Sequence, residues 1–366
     1  MDSVFYLGAC SPKGFRSHYD SLLGELSSLT VIKGGSGCGK STFMRAVARA
    51  AREHGLDVSE ILCSSDPDSL DAVIVPALSL GFVDGTAPHV LEPKICGGSM
   101  NYLNFGAFYD RAAMRANEAE IAALQAKNAA QYRLVTACLA SADRLLDCVR
   151  AETETPCCRE ESEALAECLA LSALRPRQEK GSVKRRLLTA VTPKGLQFCT
   201  KTPSALCERV YVLRDNYGLA PKLLQTLLDR AEEQGHDCIV CYSPLLPDGM
   251  PTHLLIPSAG AAFVSESRDF PYDGESFCRI DLDSTLPPVR RKELEFCCRT
   301  VTELLYRSVF HLRAAKQLHD RMEQLARPFV DYEAVTALTE KTVARIFEKN
   351  RADFPENTVV FCESEC

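Results

Sequence analysis

The stretch SLTVIK at 28–33 is apolar and β-branched, and it runs directly into GGSGCGKST at 34–42, which a helical pattern follows. This strand–loop–helix order constrains the fold more than any other feature of the chain. The pattern G-x-x-x-x-G-K-S/T is met by Gly34, Gly39, Lys40 and Ser41. Glycine reaches positive φ at no steric cost, so Gly34, Gly35, Gly37 and Gly39, with Ser36 and Cys38, let successive backbone N–H groups turn inward around phosphate oxygens. Lys40 places an ammonium on the β- and γ-phosphates, Ser41 offers a hydroxyl to Mg²⁺, and Thr42 reaches for the α-phosphate. In FMRAVARAAREHG, Phe43, Val47 and Ala50 share one helical face, and Arg45, Arg49 and Arg52 point away. Gly55 stops the helix, whose N-terminal dipole then faces the anion. The expectation is an α/β core that holds a nucleoside triphosphate, ATP with Mg²⁺, at residues 34–42.

A second strand is expected at 58–63, followed by the polar segment SSDPDSLD at 64–71. Residues 78–84 then read as an apolar strand that ends in Asp84. A carboxylate at the end of a buried strand beside a phosphate loop is the usual second contact to Mg²⁺, so Asp84 joins Ser41 as a candidate metal ligand and Lys40 as a candidate catalytic residue. The plain alternative for Asp84 is a turn residue in Asp-Gly. Asp66 is the second choice of acid, set against an Asx-turn before Pro67. His89 could sense the γ-phosphate, set against a surface histidine after a turn.

Self-comparison shows a second strong signal. SPKG at 11–14 recurs as TPKG at 192–195, an offset of 181 residues (192 − 11). At that offset Val31-Ile-Lys33 meets Val212-Leu-Arg214, Phe43, Val47 and Ala50 meet Leu224, Leu228 and Ala231, and Pro76 meets Pro257. The chain therefore reads as a tandem duplication, 1–180 and 181–366. Each half is expected to be a three-layer α/β unit with a mostly parallel sheet, followed by a helical segment at 108–151 or 289–350. The halves are expected to pack as an intramolecular pseudo-dimer. The second copy is degenerate: Asp215 stands for Gly34, Asn216 for Gly35, Ala220 for Gly39, Pro221 for Lys40, Lys222 for Ser41 and Ser265 for Asp84. A carboxylate there repels phosphate, and proline removes both an ammonium and an N–H donor. Arg111 and Arg115, four apart, read either as a lid over phosphates or as a solvated face. The basic stretch at 175–186 reads as a linker.

A net charge of −7 argues against nonspecific binding to nucleic acid or anionic membrane. The N-terminus has no basic region followed by an apolar run, and no apolar run approaches a bilayer span, so a cytoplasmic protein is expected. The eighteen cysteines are scattered; Cys238 and Cys241 lie in a strand pattern that points them to opposite faces, which favours reduced core thiols over a zinc site.

SPKGF at 11–15, VIKGGSGCGKST at 31–42, CSSDPDSLD at 63–71 and VDGTAPHV at 83–90 together resemble the tandemly duplicated P-loop ATPase-like proteins of Firmicutes, a family with no assigned biological role. The resemblance covers most of the chain and implies a P-loop NTPase fold and nucleotide binding at 34–42 and Asp84. It also implies a second intact loop, from which this sequence departs. No guanine-recognition or LSGGQ-type signature occurs, and Gly85 rather than Glu follows Asp84. Three readings stay open: a slow Mg²⁺-dependent ATPase, a nucleotide or small-molecule kinase with an acceptor near 64–71, and a non-catalytic ATP-binding regulatory module.

Overall fold

The computed structural model describes residues 2–86, 91 and 100–348. The first half contributes β1 (Ser3–Phe5), β2 (Gly8–Ser11), β3 (Gly14–Ser17), α1 (Leu22–Glu25), β4 (Ser28–Lys33), α2 (Lys40–Glu53), β5 (Ser59–Leu62), β6 (Leu70–Val75), β7 (Leu80–Asp84) and β8 (Met100–Asn104). Three helices follow: α3 (Arg111–Ala116), α4 (Glu118–Thr153) and α5 (Pro156–Ala173). The second half repeats the order with β9 (Val183–Arg186), β10 (Thr189–Thr192), β11 (Gly195–Phe198), α6 (Lys201–Leu206), β12 (Arg209–Arg214), α7 (Ala220–Glu233), β13 (Cys238–Ser243), β14 (Leu246–Ile256), β15 (Ala261–Glu266) and β16 (Cys278–Asp281). It closes with α8 (Pro288–Ala326) and α9 (Tyr332–Glu348).

The fold is α/β, and the duplication is written in its topology. One sheet runs β1-β5-β6-β7-β4-β8 and the other β9-β13-β14-β15-β12-β16, so equivalent strands hold equivalent places. In each sheet a single strand, β6 or β14, is antiparallel to both neighbours, and the remaining pairings are parallel. The repeated Ser/Thr-Pro-Lys-Gly motif forms the turn of the hairpins β2–β3 and β10–β11. The Ser11 hydroxyl donates to the Gly14 carbonyl (2.7 Å) and accepts from the Lys13 N–H (3.1 Å), and Thr192 does the same with Gly195 (2.9 Å) and Lys194 (3.1 Å).

Alternation along each strand decides the layers. Leu29 and Val31 of β4 face one core and Ile32 faces another; Val210 and Val212 of β12 pair with the former, while Tyr211 and Leu213 point away. The inner faces of the two sheets thus share one core, where a three-layer half would have a helix layer of its own. That expectation is corrected: the order is helices, sheet, sheet, helices. The pseudo-dimer contact is real, and Tyr6 and Leu187, 181 residues apart (187 − 6), exchange backbone hydrogen bonds of 2.9 and 2.8 Å at its centre.

The outer layers are exchanged between the halves. Helix α9 packs on α2 of the first half through Val335 and Ile346, and α5 packs on α7 of the second through Ala166, Leu169 and Ala170. The long helices α4 and α8 run antiparallel, with Glu120–Arg321 and Glu152–Arg290 ion pairs at opposite ends and a 2.9 Å Gln131–His311 bond between. The basic stretch at 175–186 is not wholly a linker. Its last four residues form β9, paired in parallel with β13, and Arg186 is buried in a bidentate pair with Glu25 (2.9 and 2.5 Å). Among the described residues no helix is long and apolar enough to cross a membrane, and the cysteines are free thiols. Cys238 and Cys241 face different cores, as strand alternation requires.

Candidate phosphate site and its degenerate twin

Strand β4 delivers the chain to residues 34–39, and α2 begins at Lys40. Gly37 (φ +78°) and Gly39 (φ +92°) occupy the left-handed region, which turns the loop back on itself without a Cβ clash. Close packing demands two further glycines: a Cβ on Gly34 would stand 2.9 Å from Phe105 Cβ, and one on Gly35 would stand 2.9 Å from the Tyr109 hydroxyl. Helix α2 is anchored below by Phe43, Met44, Val47 and Ala51, all fully buried, so the loop sits on a rigid base.

Lys40 lies at the loop's centre. Its ammonium donates to the carbonyls of Gly34 and Gly35, each at 2.7 Å, and stands 3.6 Å from Asp84 Oδ2. The two side chains are only 10% and 16% exposed, which places the pair in a partly desolvated setting where charge is weakly screened. Asp84 arrives on β7, hydrogen-bonded in parallel to β4 with Ile32 opposite it. Its Oδ1 accepts the Thr86 N–H (2.8 Å), an Asx-turn, and the Thr86 hydroxyl in turn donates to Gly34 O (2.7 Å). The turn reading and the site reading of Asp84 therefore both describe it: one oxygen shapes the turn and the other faces Lys40. Ser41 accepts the Leu70 N–H on its hydroxyl (3.0 Å), which orients that oxygen. Thr42 is exposed on the first turn of α2. Cys38 is buried, its thiol bonded to Gly35 O (3.1 Å), and burial raises its pKa against the pull of Lys40.

Other sequence candidates lie elsewhere. Asp66 is tied into its local turn by Ser69 (2.9 Å) and pairs with Lys316 of α8 (3.5 Å). Arg111 and Arg115 are exposed on the short helix α3. His89 lies outside the described residues.

Several residues at the loop escaped the sequence reading because they come from far along the chain. The Tyr109 hydroxyl donates to Ser36 O (2.8 Å), and the Tyr332 hydroxyl donates to Gly37 O (2.6 Å). A Cβ on Gly37 would stand 3.2 Å from Arg327 Cγ, and one on Gly39 would stand 3.2 Å from Val335 Cγ1. The second half thus covers the first half's loop. On β6, the register that pairs Ala72 with Val83 brings Asp71 beside Asp84, and the Tyr19 hydroxyl donates to Asp71 (3.0 Å). Burial, then Asp71, pushes the Tyr19 hydroxyl well above its usual pKa. Asp71 was legible only as one polar residue in a polar segment.

The degenerate loop has a different physical logic from simple repulsion. The Asp215 carboxylate is folded into the loop, where Oδ1 accepts the N–H groups of Tyr217 (3.1 Å), Gly218 (2.8 Å) and Leu219 (2.9 Å), and Oδ2 accepts that of Ala220 (2.8 Å). The N–H donors at the head of α7 thus hold an internal carboxylate. Burial raises the Asp215 pKa, and the N–H donors oppose it. Asn216 is held in turn by Asp283 (2.8 and 2.6 Å). Among the described residues no group of three or more potential metal ligands occurs.

Comparison of the chain with known protein families, with curated proteins and with solved structures gave no match, so the reading of this site rests on its own residues and their geometry.

Proposed function

We propose that the first half binds a nucleoside triphosphate, ATP with Mg²⁺, at residues 34–42, hydrolyses it slowly, and belongs with the P-loop ATPase-like proteins its motifs resemble. The observation that carries this reading is the meeting of Lys40 and Asp84, 3.6 Å apart, at the mouth of a glycine loop on the N-terminus of a buried helix. Forty-four residues separate them in sequence (84 − 40), yet two adjacent parallel strands bring a cation and a carboxylate to one spot, which phosphate–metal binding requires.

Backbone N–H groups and the α2 dipole hold the phosphate chain. Lys40 exchanges its loop carbonyls for phosphate oxygens. Ser41 and Asp84 fit Mg²⁺, an ion that keeps most of its waters and takes one or two protein oxygens besides the phosphates. The ion would supply neutralisation of charge on the transferred phosphoryl group. No glutamate follows Asp84, so no adjacent general base activates water, and slow turnover is expected. Phosphoryl transfer to an acceptor near 64–71 has less support, since Asp66, Asp68 and Asp71 are held by Lys316 (3.5 Å), Lys194 (2.5 Å) and Tyr19 (3.0 Å).

The test is calorimetric titration of MgATP with phosphate release followed in parallel. Wild type is expected to bind and to release phosphate without an added acceptor. Lys40→Ala is expected to weaken binding by at least about 2 kcal/mol, roughly thirtyfold, since a charge-assisted contact is lost. Asp84→Asn should abolish the dependence on Mg²⁺. Wild-type affinity in Lys40→Ala would sink the proposal, whereas tight binding without turnover would leave only the regulatory module.

A further inference from the structure

Beside the degenerate loop lies a cavity of about 540 Å³, within the ~300–1,000 Å³ range of small-molecule sites. It forms where the far end of α4, the start of α5 and the middle of α8 arch over the strand ends of the second sheet. Leu146, Leu246, Met250, Phe270, Val301 and Leu305 make its walls largely apolar.

A nucleoside triphosphate does not suit this space. Asp215 already fills the anion cradle, and Pro221 replaces the lysine that would meet the phosphates. Two polar side chains in the lining nevertheless keep an unused hydrogen-bonding atom. His253 is 3% exposed, and its Nδ1 accepts the Ser265 N–H (3.2 Å). Full burial pushes its pKa down to about 3, so the ring is neutral and Nε2 carries the proton, with no acceptor among the described residues. Asp269 Oδ1 is buried without a partner, while its carboxylate is hydrogen-bonded to Thr302. A buried polar atom left unpaired, as Asp269 Oδ1 is, costs about 1–3 kcal/mol, a cost that a ligand can remove.

The charges around the cavity add a direction. Arg150 is held by Asp143 (3.1 Å) and Asp147 (2.5 Å), and Arg268 by Glu295 (3.1 Å). Lys222 and Arg159 are exposed in the lining with no acidic partner among the described residues; of the carboxylates there, Asp215 is held by four N–H groups, Asp269 is half-buried and Glu154 is exposed.

We propose that this cavity binds a small amphipathic organic anion: an apolar body within the walls, an acceptor group on His253, an N–H or O–H donor on Asp269, and a carboxylate- or sulfonate-like end toward Lys222 and Arg159. The inference stands on the second half alone and does not depend on nucleotide binding by the first.

Anilinonaphthalene sulfonate is a suitable probe, since it carries an apolar body, one N–H and one sulfonate. Titration of the full chain is expected to show a single site with enhanced, blue-shifted emission that saturating MgATP does not displace. Val301→Trp and Leu146→Trp, from two different helices, should each fill the cavity and abolish the site while the melting temperature stays near wild type. Lys222→Ala and Arg159→Ala should each weaken the dye roughly fivefold and leave the neutral analogue phenylnaphthylamine unaffected. The proposal is overturned by an absence of stoichiometric dye binding, by displacement with MgATP, by unchanged affinity in a folded tryptophan variant, or by indifference of the dye to both charge removals.

Discussion

At the scale of single residues, Asp215 shows how the second copy of the loop satisfies its own backbone donors. The loop at its position must satisfy the N–H groups that open α7, and unsatisfied donors at a helix start destabilise. A phosphate would satisfy them only when bound. A carboxylate on the chain does so permanently, with no loss of translational freedom. Asp215→Ala is therefore expected to destabilise the protein by about 2–4 kcal/mol, the loss of a cap together with unpaired buried donors, as measured by urea unfolding. Asp215→Gly should also reopen the cradle, so inorganic phosphate should raise its melting temperature more than that of wild type. An equal response in both proteins would contradict the internal-anion account.

At the scale of elements, the covering of each core is the feature with most consequence. Helix α2 presents an apolar face that its own sheet covers on one side only, and α9 covers the rest through Val335 and Ile346. Tyr332 opens α9 and bonds the loop carbonyl of Gly37. Helix α9 is thus both a lid on the first core and a contact to the glycine loop. Val335→Asp should detach it, because a buried carboxylate without a partner is costly. The expected readouts are faster proteolysis in residues 327–331 and weaker MgATP binding. Tyr332→Phe should be milder, about 1 kcal/mol in nucleotide affinity, one neutral hydrogen bond. Proteolysis of Val335→Asp at the wild-type rate would show that α9 does not depend on this contact.

At the scale of the whole molecule, the two halves do not stand as separable units. Leu29 and Val31 share a core with Val210 and Val212, α5 crosses to the second half, and α9 crosses to the first. Cutting the chain at residue 180 would bare the inner face of the first sheet and the part of its outer layer that α9 covers. The fragment 1–180 is expected to be insoluble or molten by itself and to recover a cooperative melt when co-expressed with 181–366. Independent cooperative folding of 1–180 would refute this interleaving.

The sequence alone determined what depends on neighbours along the chain. The glycine loop, the helix after it, the strand ending in Asp84 and the 181-residue repeat are local or periodic signals, and loop, helix, strand ends and repeat stand where they point. Strand alternation likewise placed Cys238 and Cys241 on opposite faces. Only the tertiary structure decided what covers each face. An apolar stripe on α2 or on β4 states that it must be buried and says nothing of by what, so the sheet-on-sheet core, the exchanged helices and the reach of Arg327 and Tyr332 over a loop nearly three hundred residues away (332 − 37 = 295) were not legible. The same holds for Asp215. Its charge in a glycine's place suggested repulsion, and the fold turned the side chain inward, where four N–H groups make a buried carboxylate the stable occupant.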